Sequence, residues 1–140
     1  MSKVKNATAC KADGVSFRSK LELYCYRALV KAKIDFNYEY PKFTILEPFE
    51  YPSDSWEVNK RKKPYTLVNK QKVRGITYTP DFTNMTQGWL IECKGNPNDA
   101  FPLRWKLFKQ HLTKSKQNLD LYMPTNQKQV DHVIELLMNR

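Results

Sequence analysis

The sequence predicts an α/β chain of the α+β type, a mixed sheet flanked by helices, in the order helix, strand, basic insertion, strand, strand, helix, strand, helix. Three observations predict it. Three segments carry apolar residues at the three-and-four spacing of helices, four shorter ones read as strands, and a proline-bearing basic stretch separates the first strand from the rest. At 140 residues the chain fits one compact domain with its own core. The expected domain is 1–140, with a flexible N-terminal segment at 1–15 and the insertion at about 47–75.

The first helix is expected from Phe17 to Lys33, with Leu21, Tyr24, Cys25, Ala28, Leu29 and Ala32 on one face and Ser16 or Ser19 as its cap. "IDFNYEYPKFTIL" follows. Phe36, Tyr38 and Tyr40 alternate with polar residues there as in a half-buried strand, and Pro41 marks an edge, a bulge or an end. Glu47 to Gly75 is irregular, with room for a hairpin around "PYTLVNKQKV". Next, "GITYTPDF" and "GWLIECKG" read as two antiparallel strands joined by "TNMTQ". A second helix from Phe101 to Ser115 has Leu103, Leu107, Phe108 and Leu112 on one face and a basic opposite face. "LDLYMP" is a short strand, and Asn126 to Asn139 closes the chain as a helix.

Lys plus Arg number 24 against 14 Asp plus Glu, a net charge of +10. Such an excess holds polyanions by phosphate contacts and counterion release, so nucleic acid is the leading partner. Seven of those cations and no acid fall between Asn59 and Gly75: Lys60, Arg61, Lys62, Lys63, Lys70, Lys72 and Arg74. That sign bias favours a phosphate-facing role over a merely solvated loop. No apolar run approaches the roughly 18 residues of a spanning helix, so no membrane partner is expected. The start "MSKVKNATACKADG" lacks the apolar stretch of a signal peptide, which predicts a cytoplasmic protein.

Cys10, Cys25 and Cys93 make an odd number without a CxxC pair, supporting neither a zinc site nor a disulfide framework. Trp56, Trp89 and Trp105 read as core or rim, and Trp105, beside Arg104, Lys106 and Lys109, is the one that adjoins a basic face.

The chemistry lies in "YTPDFTNMTQGWLIECKG", residues 78–95. Strand alternation puts Glu92 and Lys94 on one side and Trp89, Ile91 and Cys93 on the other. A hairpin pairing brings Asp81 to the side of Glu92 and Lys94. Two carboxylates beside an ammonium, among apolar neighbours, are costly to bury unless paired or bound to a cation. The bland alternative is a cross-strand salt bridge. The chemical one is a magnesium or manganese site of hard oxygen ligands, with Lys94 orienting water or stabilising charge on a phosphodiester.

Pro80-Asp81 and Glu92-Cys93-Lys94, set among a helix, strands and a following basic helix, resemble the signature of the PD-(D/E)XK nuclease superfamily. "FRSKLE", "FNYE", "YTPDF" and "ECKG" occur here in the same order as in the phage endonuclease I family of Holliday-junction resolvases. The resemblance covers roughly residues 16 to 116. It implies a restriction-endonuclease-like core and a Mg2+-dependent deoxyribonuclease, with Mn2+ able to substitute, acting on branched or structured DNA such as Holliday junctions. It implies Glu22 as a third carboxylate, although Ser19-x-x-Glu22 is also a capping-box spacing. The metal would be held by Asp81, Glu92, Glu22 and the backbone carbonyl of Cys93, with Glu22, Asp81, Glu92 and Lys94 catalytic. Phosphates would be met by Arg18, Lys20, Lys60, Arg61, Lys62, Lys63, Arg74, Arg104, Lys106 and Lys109. A homodimer is among the assemblies it allows, and a phage-encoded chain would act in the host cytoplasm. Two departures stand out: Asn37 occupies a position that is acidic in those resolvases, and the stretch before "YTPDF" is much longer. The competing readings are a restriction-like or transposase-type nuclease on linear duplex, and a nucleic-acid-binding module without turnover.

Overall fold

The computed structural model describes residues 10–96 and 100–140. Those residues form an α+β fold with a mixed sheet and three helices. They fall into two compact units, one made of residues 10–42 and 79–140, the other of Phe43–Tyr78. The basic insertion expected at about 47–75 lies inside the second unit.

The first unit opens with β1 (Cys10–Ala12) and β2 (Val15–Phe17), paired antiparallel around a two-residue Asp13-Gly14 turn. Both turn residues have positive φ, 51° and 76°, which is the conformation that an Asp-Gly turn supplies to a tight hairpin. The segment expected to be flexible is therefore paired strand from Cys10 onward; residues 1–9 lie outside the described residues.

Helix α1 (Lys20–Lys31) begins at Ser19, whose Oγ accepts the Glu22 N–H at 3.1 Å. Of the two expected caps, Ser19 is the one used. β3 (Asn37–Tyr38) follows and ends ahead of Pro41. The chain then enters the second unit: β4 (Phe43–Leu46), β5 (Phe49–Glu50), β6 (Trp56–Asn59), β7 (Thr66–Asn69), β8 (Lys72–Val73) and β9 (Ile76–Tyr78). They pair antiparallel as three separate ribbons, β4 with β9, β5 with β8 and β6 with β7. Of the roles open to Pro41, the end of the strand is the one that fits, since β3 stops ahead of it and Phe43–Leu46 is a strand of another sheet. The expected hairpin around "PYTLVNKQKV" is corrected: Thr66–Asn69 and Lys72–Val73 pair with earlier strands and not with each other.

Back in the first unit, β10 (Phe82–Asn84) and β11 (Trp89–Ile91) form the expected antiparallel hairpin, then come α2 (Phe101–Lys114), β12 (Asp120–Tyr122) and α3 (Gln127–Met138). "GITYTPDF" is not one strand, since β9 and β10 belong to different sheets and are separated at Thr79–Asp81. The sheet order is β12-β11-β10-β3, with β12 parallel to β11 and the other pairs antiparallel.

Alternation along these strands divides the unit. Phe82, Trp89, Ile91 and Cys93 join Cys25 and Leu29 of α1 and Val130, Val133, Ile134 and Leu137 of α3 in one buried cluster. Each large side chain removed from water this way contributes roughly 1.5–3 kcal/mol. Thr83 and Leu90, turned to the other face, are equally buried, and α2 brings its own buried row of Phe101, Trp105, Phe108 and Leu112. The sheet is therefore dry on both sides, which makes any charge at its margin costly.

Candidate metal and phosphodiester site

β10 and β11 pair Phe82 with Ile91, so the next position along the ladder sets Asp81 opposite Glu92. Partners across an antiparallel pair share a face. Backbone hydrogen bonds continue the sheet past the ends of β3, β10, β11 and β12. Glu39 N–H donates to Asp81 O at 2.9 Å, Glu92 N–H to Tyr122 O at 2.9 Å, and Lys94 N–H to Pro124 O at 3.1 Å. Since Glu92 and Lys94 turn their amides toward the β12 side, Cys93 turns its N–H and C=O toward the β10 side. There its N–H donates to Asp81 Oδ2 at 2.8 Å. The Cys93 carbonyl thus points to the Asp81 side of the strand.

Asp81 keeps an accessible edge, but its carboxyl group is enclosed. Loss of water, then the charge of Glu92 and a hydrogen bond with it, hold the Asp81 pKa well above the ordinary aspartate range; the Cys93 N–H and the Lys94 charge pull the other way. A hydrogen bond between two carboxyl groups requires a proton between them. Glu92 is itself 4% exposed. In a metal-free protein the pair therefore carries less negative charge than two free acids would.

Glu22, also 4% exposed, does not fold back into a capping box. Its Oε1 accepts the Tyr38 hydroxyl, and Tyr38 is packed between Phe17 and Phe82, with ring centroids 5.1 and 5.4 Å away. Burial, followed by the negative charge of Asp81, raises the Glu22 pKa from 4.5 to about 7, with the Tyr38 hydrogen bond opposing the rise. Glu22 is thus within electrostatic reach of Asp81. Among the described residues, however, no three His, Cys, Asp or Glu side chains stand close enough together to hold a metal ion. The structure joins Asp81 to Glu92 and leaves Glu22 as a neighbour, where the resemblance implied a shared set of ligands.

Lys94 is half-buried, with Nζ 4.5 Å from the centroid of the Phe101 ring at the start of α2. The ring's electron-rich face holds the ammonium in place. Cys93 turns its thiol into the core, where a hydrogen bond with Cys25 and burial push its pKa up. A thiol in that state is a poor ligand and nucleophile.

The basic residues divide between the units. Lys106 and Lys109 are exposed on α2, and Arg104 is half-buried there. Arg104 Nε is buried without a hydrogen-bond partner among the described residues. Arg18 and Lys20 are exposed at the start of α1, and Arg18 pairs with Glu39 at 3.1 Å. Lys60, Arg61, Lys62, Lys63 and Arg74 are exposed in the second unit.

Trp105 is 9% exposed and stacks on Phe101 at 5.7 Å, so it is core, whereas Trp56 is 60% exposed. Tyr38 escaped the sequence reading because its alternation with Phe36 looks like core. The signal for it was a hydroxyl at an inward strand position, which must find a partner when buried.

No helix among the described residues is long and apolar enough to cross a membrane. No curated protein and no solved structure matches the chain. The family described as "Protein of unknown function (DUF1064)" matches residues 1–125, a span that includes Glu22, Asp81, Glu92 and Lys94; the chain belongs to the DUF1064 family.

Proposed function

We propose that this protein is a metal-dependent endonuclease that hydrolyses phosphodiester bonds in DNA. The observation that carries the reading is the cross-strand pair of Asp81 and Glu92, whose carboxyl groups meet at the end of a dry sheet beside the Lys94 ammonium. Two acids so placed destabilise the fold when both ionise, and a hard divalent cation relieves that repulsion. The donor set fits Mg2+, with Mn2+ able to substitute: two carboxylates and a backbone carbonyl on the same side, with Glu22 a neighbouring acid that would act through water. When bound, such an ion would stabilise charge on the scissile phosphate and make a coordinated water more acidic.

The chain's own residues supply the rest. Asp81 and Glu92 ionise together once a cation is present, and Asp81 stays aimed by the Cys93 N–H. Lys94 presents a fixed positive charge to an oxygen of the phosphodiester and stabilises the charge that grows there on attack by water. Glu22, with its raised pKa, can take a proton near neutral pH. The exposed cations of α2 hold the flanking phosphates. Branched or structured DNA, such as a Holliday junction, is the substrate class implied by the resemblance to phage resolvases, and linear duplex is the alternative.

A second reading, a nucleic-acid-binding module without turnover, is favoured by the absence of a three-ligand cluster among the described residues. Cleavage of supercoiled plasmid and of a four-way junction, with and without Mg2+ or Mn2+, decides between the two. Metal-dependent cutting by the wild type that Asp81→Asn abolishes supports the nuclease. Junction binding without cutting under either metal supports the module.

A further inference from the structure

We propose that the ribbon of β6 and β7 is a base-stacking arm for single-stranded DNA, so that the part of the substrate this arm recognises is an unpaired stretch. The inference rests on the reading of DNA as the substrate and names the kind of DNA.

The register of the ribbon pairs Trp56 with Asn69 and Val58 with Leu67. Strand alternation puts Trp56, Val58 and Leu67 on one face, and Tyr65 stands in the connecting turn just before β7. All four are exposed, at 60%, 42%, 60% and 55%. Among the described residues the ribbon stays two-stranded, and a row of large apolar side chains left in water marks a binding surface.

The charge beside this face selects the occupant. Lys60, Arg61, Lys62 and Lys63 form the turn between the two strands, and no acid occurs from Asn59 to Pro80. Lys63 Nζ lies 5.8 Å from the centroid of the Tyr65 ring, so a cation borders the apolar row. Lys60, Arg61, Lys70, Lys72 and Arg74 also line an open hollow of about 980 Å³ with Glu50, Glu57 and Val68, and the cross-strand pair Glu57 and Val68 belongs to the ribbon's other face, so basic residues occur on that side too. A second copy docking on this face gains nothing from the lysine-rich turn beside it, and protein interfaces are depleted in lysine. A nucleic acid gains from both features. Duplex DNA offers only base edges and phosphates, whereas unpaired bases offer the flat faces on which Trp and Tyr rings stack.

The test is binding of a fluorescent oligothymidylate of about 20 nucleotides, longer than the site of one binding fold, by the full chain in EDTA. A duplex and an oligouridylate of equal length serve as comparisons. Trp56→Ala and Tyr65→Ala, both at exposed positions, are each expected to weaken oligothymidylate binding about tenfold and duplex binding less than about twofold. The joint change Lys60→Gln, Arg61→Gln, Lys62→Gln and Lys63→Gln should reduce the salt slope of log K by about 3. Trp56→Phe should keep most of the affinity and lose most of the tryptophan quenching, because Trp89 and Trp105 are buried.

Unchanged binding by the aromatic variants, equal loss on duplex, or tighter binding of oligouridylate overturns the proposal. So does a dimer that Trp56→Ala converts to monomer with DNA affinity intact. Because binding is read without metal, it is independent of cleavage. A protein that binds oligothymidylate through Trp56 yet never cuts DNA fails the nuclease reading alone, and one that cuts DNA while Trp56→Ala binds normally fails this inference alone.

Discussion

The Tyr38 hydroxyl donates to the Glu22 carboxylate, so the acid implied as third ligand is already engaged by a tyrosine of β3. Glu22 holds its proton up to about pH 7 in the folded chain, against an ordinary value of 4.5. Between those values the folded state binds more protons than the unfolded one, so stability is greatest below the lower value and falls as pH rises through the higher. The full loss is up to about 3 kcal/mol. Glu22→Gln should abolish most of that slope in metal-free urea unfolding, matching wild type in acid and exceeding it above pH 7. A parallel pH dependence in both proteins would exclude Glu22 as its source.

Asp81 and Glu92 make a related prediction for metal. A divalent cation relieves the repulsion between the two ionised carboxylates, so millimolar Mg2+ at about pH 8 should raise the melting temperature of the wild type. The effect should shrink at about pH 5, where protons compete for the same oxygens. Asp81→Asn removes the repulsion, and in EDTA above neutral pH it should melt at or above the wild-type temperature, with no response to Mg2+. A wild type indifferent to Mg2+ and Mn2+ at every pH would remove the metal site.

The hairpin that brings these acids together was legible because Trp89, Ile91 and Cys93 alternate with Leu90, Glu92 and Lys94, and a one-residue slip would exchange the apolar face for the charged one. The seams of α1 and α3 were legible for the same reason at helical period. What the sequence did not reveal is pairing across long separations. Phe43–Leu46 joins Ile76–Tyr78, some thirty residues away, and nothing local in either segment names its partner. Trp105 and Trp56 show the limit from another side. The first, read as core or rim beside a basic face, is core on the row with Phe101 and Phe108, while the second, read the same way, lies on a ribbon whose open face only the fold exposes.

Lys94 separates a catalytic cation from a structural one. Its ammonium rests against Phe101, so Lys94→Met deletes the charge while keeping a side chain of similar length and apolar character. Single-turnover cleavage should fall about 10²- to 10⁴-fold, as for other lost electrostatic stabilisers or acid–base groups. The melting temperature should change by only a few degrees and its response to Mg2+ should persist. A variant that cuts within about tenfold of wild type would leave Lys94 a support for α2 and nothing more.

Arg104 carries the remaining prediction. Arg104 is half-buried on α2, which limits the freedom of its guanidinium, and that planar fork suits a phosphate oxygen. Arg104 lies three residues beyond Phe101, on the helix face that carries the ring under Lys94, so a phosphate beside the scissile one is the natural acceptor. Arg104→Ala should weaken junction binding in EDTA by about tenfold and lower the salt slope by about one. Arg104→Lys should restore the slope without the affinity, because an ammonium replaces the charge but not the planar fork. Lys106→Ala, at an exposed site on the same helix, should change affinity by less than about threefold. Equal effects of Arg104→Ala and Lys106→Ala would reduce Arg104 to one more surface charge.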